Sequence, residues 1–198
     1  MYLETLGENA VKAKYTISLL EEKKRNEILL KIADALVKNS AFIIEQNKID
    51  YEKGVSENMK AGLLDRLMLN EQRIEGISEG IRQVAALEDP LNRVLSEKTM
   101  ANGMHIKKIS VPLGVIGIIY ESRPNVTLDA FGLCFKSGNA VILKGGSDAI
   151  NSNIAIVEVI QNALKKCNIN PLCIQLIKST DRAVTTEFMH MNGYVDVL

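Results

Sequence analysis

The sequence has no tryptophan, only four prolines and four phenylalanines, and just two histidines among its 198 residues. His105 and His190 have no companions at ligand spacing, so neither a histidine metal site nor a Ser-His-Asp triad is supported, and no metal is assigned. Cysteine is scarce as well. Cys134, Cys167 and Cys173 form an odd set without metal-ligand spacing, which fits free thiols in a reducing, cytoplasmic compartment. Neither sign of charge is in excess, with 24 basic and 24 acidic residues, so no global field gathers nucleic acid or an anionic membrane. Long hydrophobic runs are missing. The longest, Val111 to Tyr120, is about half the roughly 20 residues of a membrane span and carries two glycines and a proline. The opening Met1-Tyr-Leu-Glu-Thr-Leu-Gly-Glu8 lacks the basic n-region of a secretory signal. These absences predict a soluble, cytoplasmic protein with no nucleic-acid or membrane partner.

Helical periodicity fills residues 1–90. Leu3, Leu6, Ala10, Ala13, Ile17 and Leu20 recur at steps of three and four, as do Ile28, Leu29, Ile32 and Leu36 after an expected capping box, Ser18-x-x-Glu21. A third helix is expected from Ser40 to Gly54, and a fourth carries Ile74, Ile77, Ile81 and Val84 before Asp89-Pro90 ends it. Residues 91–111 change character. Asn102-Gly103 lies between Glu97–Met100 and Met104–Ile109, the mark of a hairpin; with His105, Lys107 and Lys108 it has no continuous apolar face. It reads as an exposed ribbon, either an edge protected by its lysines or a contact between subunits of a homo-oligomer.

Residues 112–198 alternate strand and helix. Strands are expected near 114–119, 139–143, 173–177 and 194–198, with helices near 125–137, 148–166 and 181–191. Right-handed crossovers make these strands parallel, a doubly wound Rossmann-like α/β core whose loops gather along one rim. The last strand has no element after it to cover it, so the chain is expected to be part of a longer protein.

Two strand ends carry the chemistry. The first runs Val111-Pro-Leu-Gly-Val-Ile-Gly-Ile-Ile-Tyr120 into Glu121-Ser-Arg-Pro-Asn125; the second runs Asn139-Ala-Val-Ile-Leu143 into Lys144-Gly-Gly-Ser147. Lys144 beside a flexible turn, with Ser147 and Asp148 opening a helix, suits a phosphate or a ribose. Arg123 can grip an anion with two parallel hydrogen bonds and Asn125 can donate to a developing oxyanion, unless Asn125 merely caps a helix and Arg123 is solvated. The fingerprint Gly-x-Gly-x-x-Gly is absent. Cys134, in an apolar helix with no neighbouring base, reads as an inert buried thiol.

The stretch from Val111 to Asp129, then Lys136-Ser-Gly-Asn-Ala-Val-Ile-Leu-Lys-Gly-Gly146, closely resembles the gamma-glutamyl phosphate reductases (glutamate-5-semialdehyde dehydrogenases) of the aldehyde dehydrogenase superfamily. Leu64-Asp-Arg-Leu67, Ile81-Arg-Gln-Val84 with Asp89-Pro90, and Asp181-Arg182 resemble them too. The resemblance implies the amino-terminal half of such an enzyme: residues 1–90 as the helical part of the cofactor domain, 91–111 as an oligomerisation ribbon, 112–198 as the NADP-binding core, and a catalytic domain absent from this chain. It implies reduction of L-glutamate 5-phosphate to the 5-semialdehyde in proline biosynthesis, with NADPH as cofactor and a nucleophilic cysteine in a Ser-Thr-Cys-Asn segment that this sequence lacks. Tyr120, Glu121, Lys144, Gly145, Gly146 and Ser147 would then face the cofactor, Arg123 and Asn125 the substrate. In the superfamily an acid often stands three residues after the lysine; Ser147 there favours NADPH over NADH. Two alternatives stay open: another aldehyde or acyl-phosphate dehydrogenase of the superfamily, and a non-catalytic nucleotide-binding or assembly module.

Overall fold

A computed structural model describes residues 2–198. The expected stripes become helices α1 (Tyr2–Ser18), α2 (Glu22–Lys38), α3 (Ser40–Ser56) and α5 (Glu71–Ala86), burying Leu3, Ala10, Ala13 and Ile17 on α1 and Ile28, Leu29, Ile32 and Leu36 on α2. The capping box is not formed. Ser18 is the last residue of α1 and donates to the Tyr15 carbonyl at 3.0 Å, while Glu21 precedes α2 without a side-chain cap. The apolar stripe through Ile17 keeps Ser18 helical, which takes it away from the next helix start. A short helix, α4 (Ala61–Leu67), was not expected from the sequence; only Leu67 on it is buried, too few contacts to leave a periodic pattern.

Buried cations lock this layer. The Arg25 guanidinium donates to the Leu20 carbonyl and, at 2.6 Å, to Asp89, tying α2 to the turn after α5. Such a charge is tolerated inside only because it is paired.

The ribbon forms as expected, from β1 (Val94–Thr99) antiparallel to β2 (His105–Ile109). Every residue of both strands is exposed. Its tip is a three-residue loop closed by Met100 N–H to the Met104 carbonyl at 2.9 Å. Gly103 takes φ +85°, and the Asn102 side chain accepts from Met104 N–H at 3.1 Å.

The core sheet has β3 (Val115–Ile119), β4 (Ala140–Lys144) and β5 (Ile174–Leu176), parallel and in that order. The expected strand at 194–198 is reduced to one parallel bridge, Val197 to Ile116, on the free edge of β3. Its ladder is cut short because Asp196 turns its carboxylate in, accepting from Val115 N–H at 2.7 Å and from Lys14 Nζ at 2.9 Å. Gly114, at φ +125°, leaves room for that carboxylate; a Cβ there would collide with it. The spatial order therefore runs β5, β4, β3, Val197, and reverses direction at β3.

Because β3, β4 and β5 step the same way, right-handed crossovers put α6 (Pro124–Lys136) and α7 (Ile150–Lys166) on one face. Helices α2, α3 and α5 pack outside those two. The other face is covered by α1 and by α8 (Arg182–Met189), whose Phe188 lies over Gly117. With both faces and both edges occupied, Ala140-Val-Ile-Leu-Lys144 is buried throughout, as an interior parallel strand requires. Among the described residues, no helix is long and apolar enough to cross a membrane.

Candidate cofactor and substrate site

The loops after β3 and β4 leave the same rim, side by side. Ile119 is in register with Lys144, and Tyr120 N–H donates to the Lys144 carbonyl at 3.1 Å. Ligands of open α/β sheets bind along such carboxyl ends.

Gly145 and Gly146 stand where the two loops are closest. They let the loops meet. A Cβ on Gly145 would run into Asn153 and Tyr120, and one on Gly146 into Ser122; neither glycine has a positive φ. Beneath them runs a buried polar chain: the Tyr120 hydroxyl pairs with Thr127 Oγ1 at 2.6 Å, which donates to Asn153 Oδ1 at 2.8 Å. Burial pushes the Tyr120 phenol up to about 12. Its hydroxyl is thus engaged inside the protein.

Lys144 is buried, its ammonium donates to the Gly145 carbonyl at 3.1 Å, and partial loss of water lowers its pKa. Among the described residues it has no acidic partner. Asp148 is turned elsewhere, accepting from Ser147 Oγ at 3.1 Å and Ser122 Oγ at 3.2 Å. Ser147 itself is exposed, while Glu121, also exposed, lines a cavity of about 340 Å³ with Ser122, Arg123 and Asp148.

Ser147 and Asp148 open the helical segment with a single 3₁₀ turn, and the α-helix proper, α7, begins at Ile150. Its amino terminus is closed by a carboxylate from α3: Asp50 accepts from Asn151 N–H (3.2 Å), Ser152 N–H (2.8 Å), Ser152 Oγ (2.6 Å) and Asn151 Nδ2 (2.8 Å). Asn47 extends the network to Ser152 Oγ and to Leu67 and Leu69. An anion already caps this helix, so the position is closed to a ligand phosphate. Sequence reasoning missed Asp50 because it lies a hundred residues away, on a helix that reads as solvated on its charged face.

Arg123 precedes α6, whose first residue is Pro124; Asn125 sits inside the helix, so it is not the cap. Both line a cavity of about 480 Å³ together with Asp65, Arg66, Arg73 and Asp129. Nothing in α4 alone says that it folds against the Arg123 loop, so Asp65 and Arg66 were not among the expected site residues. A larger groove, about 820 Å³, lies at the far end of α7 beside Cys167 and away from both loops. Burial pushes the Cys134 and Cys173 thiols up to about 12, leaving both protonated and inert at neutral pH.

No family model matches the sequence. Among curated proteins, a gamma-glutamyl phosphate reductase from Lachnospira eligens is 51% identical over 99% of this chain and 47% of its own length. One from Thermoanaerobacter sp. is 47% identical over 100% of this chain and 48% of its own. Among solved structures, the gamma-glutamyl phosphate reductase of Thermotoga maritima superposes with TM-score 0.96 at 38% identity, covering 98% of this chain and 47% of that one. A probable aldehyde dehydrogenase from Listeria monocytogenes shares the fold at TM-score 0.70 and 16% identity, over 95% of this chain and 39% of its own. The chain thus spans about half the length of the curated relatives it matches. Along its whole length, and on the aldehyde dehydrogenase fold, the chain is similar to about half of a gamma-glutamyl phosphate reductase.

Proposed function

We propose that this chain is the cofactor-binding part of an NADPH-dependent reductase. The reaction converts L-glutamate 5-phosphate to L-glutamate 5-semialdehyde with release of phosphate, in cytoplasmic proline biosynthesis. The observation that carries the reading is the pair of touching loops after β3 and β4, on a chain that matches gamma-glutamyl phosphate reductases from end to end. NADPH supplies the hydride for such a reduction.

What this chain contributes is placement. The Lys144 ammonium, partly shielded from water and met by one carbonyl, fits a hydroxyl- or phosphate-bearing ribose. Ser147 stands where an acid would, and the Asp148 carboxylate is turned toward two serine hydroxyls, which supports NADPH over NADH. Asp50 keeps the pyrophosphate off the α7 terminus, directing the cofactor to the Lys144–Ser147 turn and the backbone at Tyr120 and Glu121. Arg123 and Asn125 face the substrate. The thiol that displaces phosphate belongs to the part of the enzyme outside these residues, so the 198-residue chain alone is expected to be inactive. The exposed β1–β2 ribbon, with Leu95, Met104 and Ile106 uncovered, fits assembly into a homo-oligomer.

Lys144→Ala in the full-length enzyme tests the reading. Loss of one charge-assisted hydrogen bond should raise the KM for NADPH roughly ten- to a hundredfold and weaken the preference over NADH. An unchanged KM removes Lys144 from the cofactor site.

A further inference from the structure

The cavity beside Arg123 holds more charge than the chain itself neutralises. Arg73 is fully engaged, donating to Asp65 Oδ1 at 2.7 Å, to the Met68 carbonyl at 2.9 Å and to the Asp65 carbonyl, so this pair cancels. Three charges remain. Arg66 and Arg123 form no ion pair among the described residues, and the buried Nε of Arg123 has no hydrogen-bond partner. Asp129 forms no ion pair either; partial loss of water raises its pKa, and the Asn125 carboxamide one turn before it works against that rise. Across the cavity, Gly76 and Gly80 stand one turn apart on α5 with open space where a Cβ would project. That wall is bare, and the volume of about 480 Å³ suits a small metabolite.

Two unneutralised guanidiniums and one unneutralised carboxylate complement a molecule with two anionic groups and one ammonium. An α-amino acid phosphorylated on its side chain has that pattern, whereas a simple acyl phosphate or an aliphatic aldehyde does not. We infer that Asp129 receives the α-ammonium of the substrate while Arg66 and Arg123 hold its anionic groups, which makes Asp129 a specificity-determining residue. This rests on the substrate-side reading of Arg123 and Asn125 given above. The arrangement also orients the substrate: Arg66 and Arg123 line the adjoining cavity with Glu121, Ser122 and Asp148 as well, so they stand on the wall shared with the proposed cofactor loops. A phosphoryl end gripped there lies toward the cofactor, and the amino end lies toward α6.

The test uses the full-length enzyme in the oxidative direction, with inorganic phosphate and NADP, on glutamate 5-semialdehyde and on 5-oxopentanoate, which lacks only the amino group. Asp129→Asn keeps the shape and removes the charge. It should lower kcat/KM for the amino substrate about tenfold, the effect of one charged hydrogen bond in a partly hydrated site, and leave 5-oxopentanoate and the KM for NADP unchanged. Asp129→Glu should recover part of the loss. A preference for the amino substrate that survives Asp129→Asn, or an equal loss on both compounds, overturns the assignment. A wild-type enzyme that oxidises neither compound overturns the substrate-side reading beneath it.

Discussion

Strand β4 and the β1–β2 ribbon are both regular β structure, yet every residue of β4 is buried and every residue of the ribbon is exposed. The contrast follows from partners. β4 has a strand on each side, α6 over one face and α1 over the other, so it carries a near-continuous apolar run. The ribbon has only itself, mixes Lys98, Lys107 and Lys108 with Leu95 and Ile106, and pins its register with the Lys107–Glu97 ion pair at 3.2 Å. A two-stranded ribbon is marginal in water by itself. Its exposed apolar residues are the ones the proposed subunit contact would cover, whereas β4 is already covered by its neighbours.

The comparison can be broken most forcefully at β4. Ile142→Ala leaves a cavity in a strand with no accessible surface at that position, and should destabilise the chain by roughly 2–5 kcal/mol, measured by denaturant unfolding. A loss under about 1 kcal/mol would mean that the two faces are loosely covered. Asp50→Ala comes next. It orphans the buried donors at the α7 terminus and should cost about 2–3 kcal/mol, while also freeing the Lys144–Ser147 turn, seen as faster amide exchange there. Protection that is unchanged in that turn would show that Asp50 caps the helix without positioning the loop. The smallest effect on stability belongs to the ribbon. Leu95→Lys with Ile106→Lys should shift unfolding by no more than about 0.5 kcal/mol, since both side chains are exposed, while lowering the sedimenting mass of the full-length enzyme. An oligomer that persists with full affinity would mean that assembly uses another surface.

Much of this was legible in the residues. The 3–4 spacing of Ile28, Leu29, Ile32 and Leu36, the Asn102-Gly103 tip and the apolar run ending at Lys144 are local patterns, and each became the element it predicts. The errors share a cause. Ser18 was read as a cap and 194–198 as a strand from local preference, and each was redirected by its surroundings: Ser18 by the continuing core stripe of α1, and Asp196 by Lys14 and the Val115 amide. At the site, Lys144 and Arg123 could be named because strand ends are visible in sequence. Asp50, Asp65, Arg66 and Asp129 could not, since each gains meaning only from an element far away in the chain.

The sequence by itself determined the periodicities, the parallel α/β core and the two loops, because those depend on side-chain spacing and on the handedness of short connections. Only the tertiary structure decided which charges are neutralised and which remain for a ligand. Coulomb attraction and desolvation depend on distance in space, and α3, α4 and the β3 loop come together only when the sheet is covered. Folding therefore closes the α7 terminus with Asp50, cancels Arg73 against Asp65, and leaves Lys144, Arg66, Arg123 and Asp129 without a partner of opposite charge among the described residues.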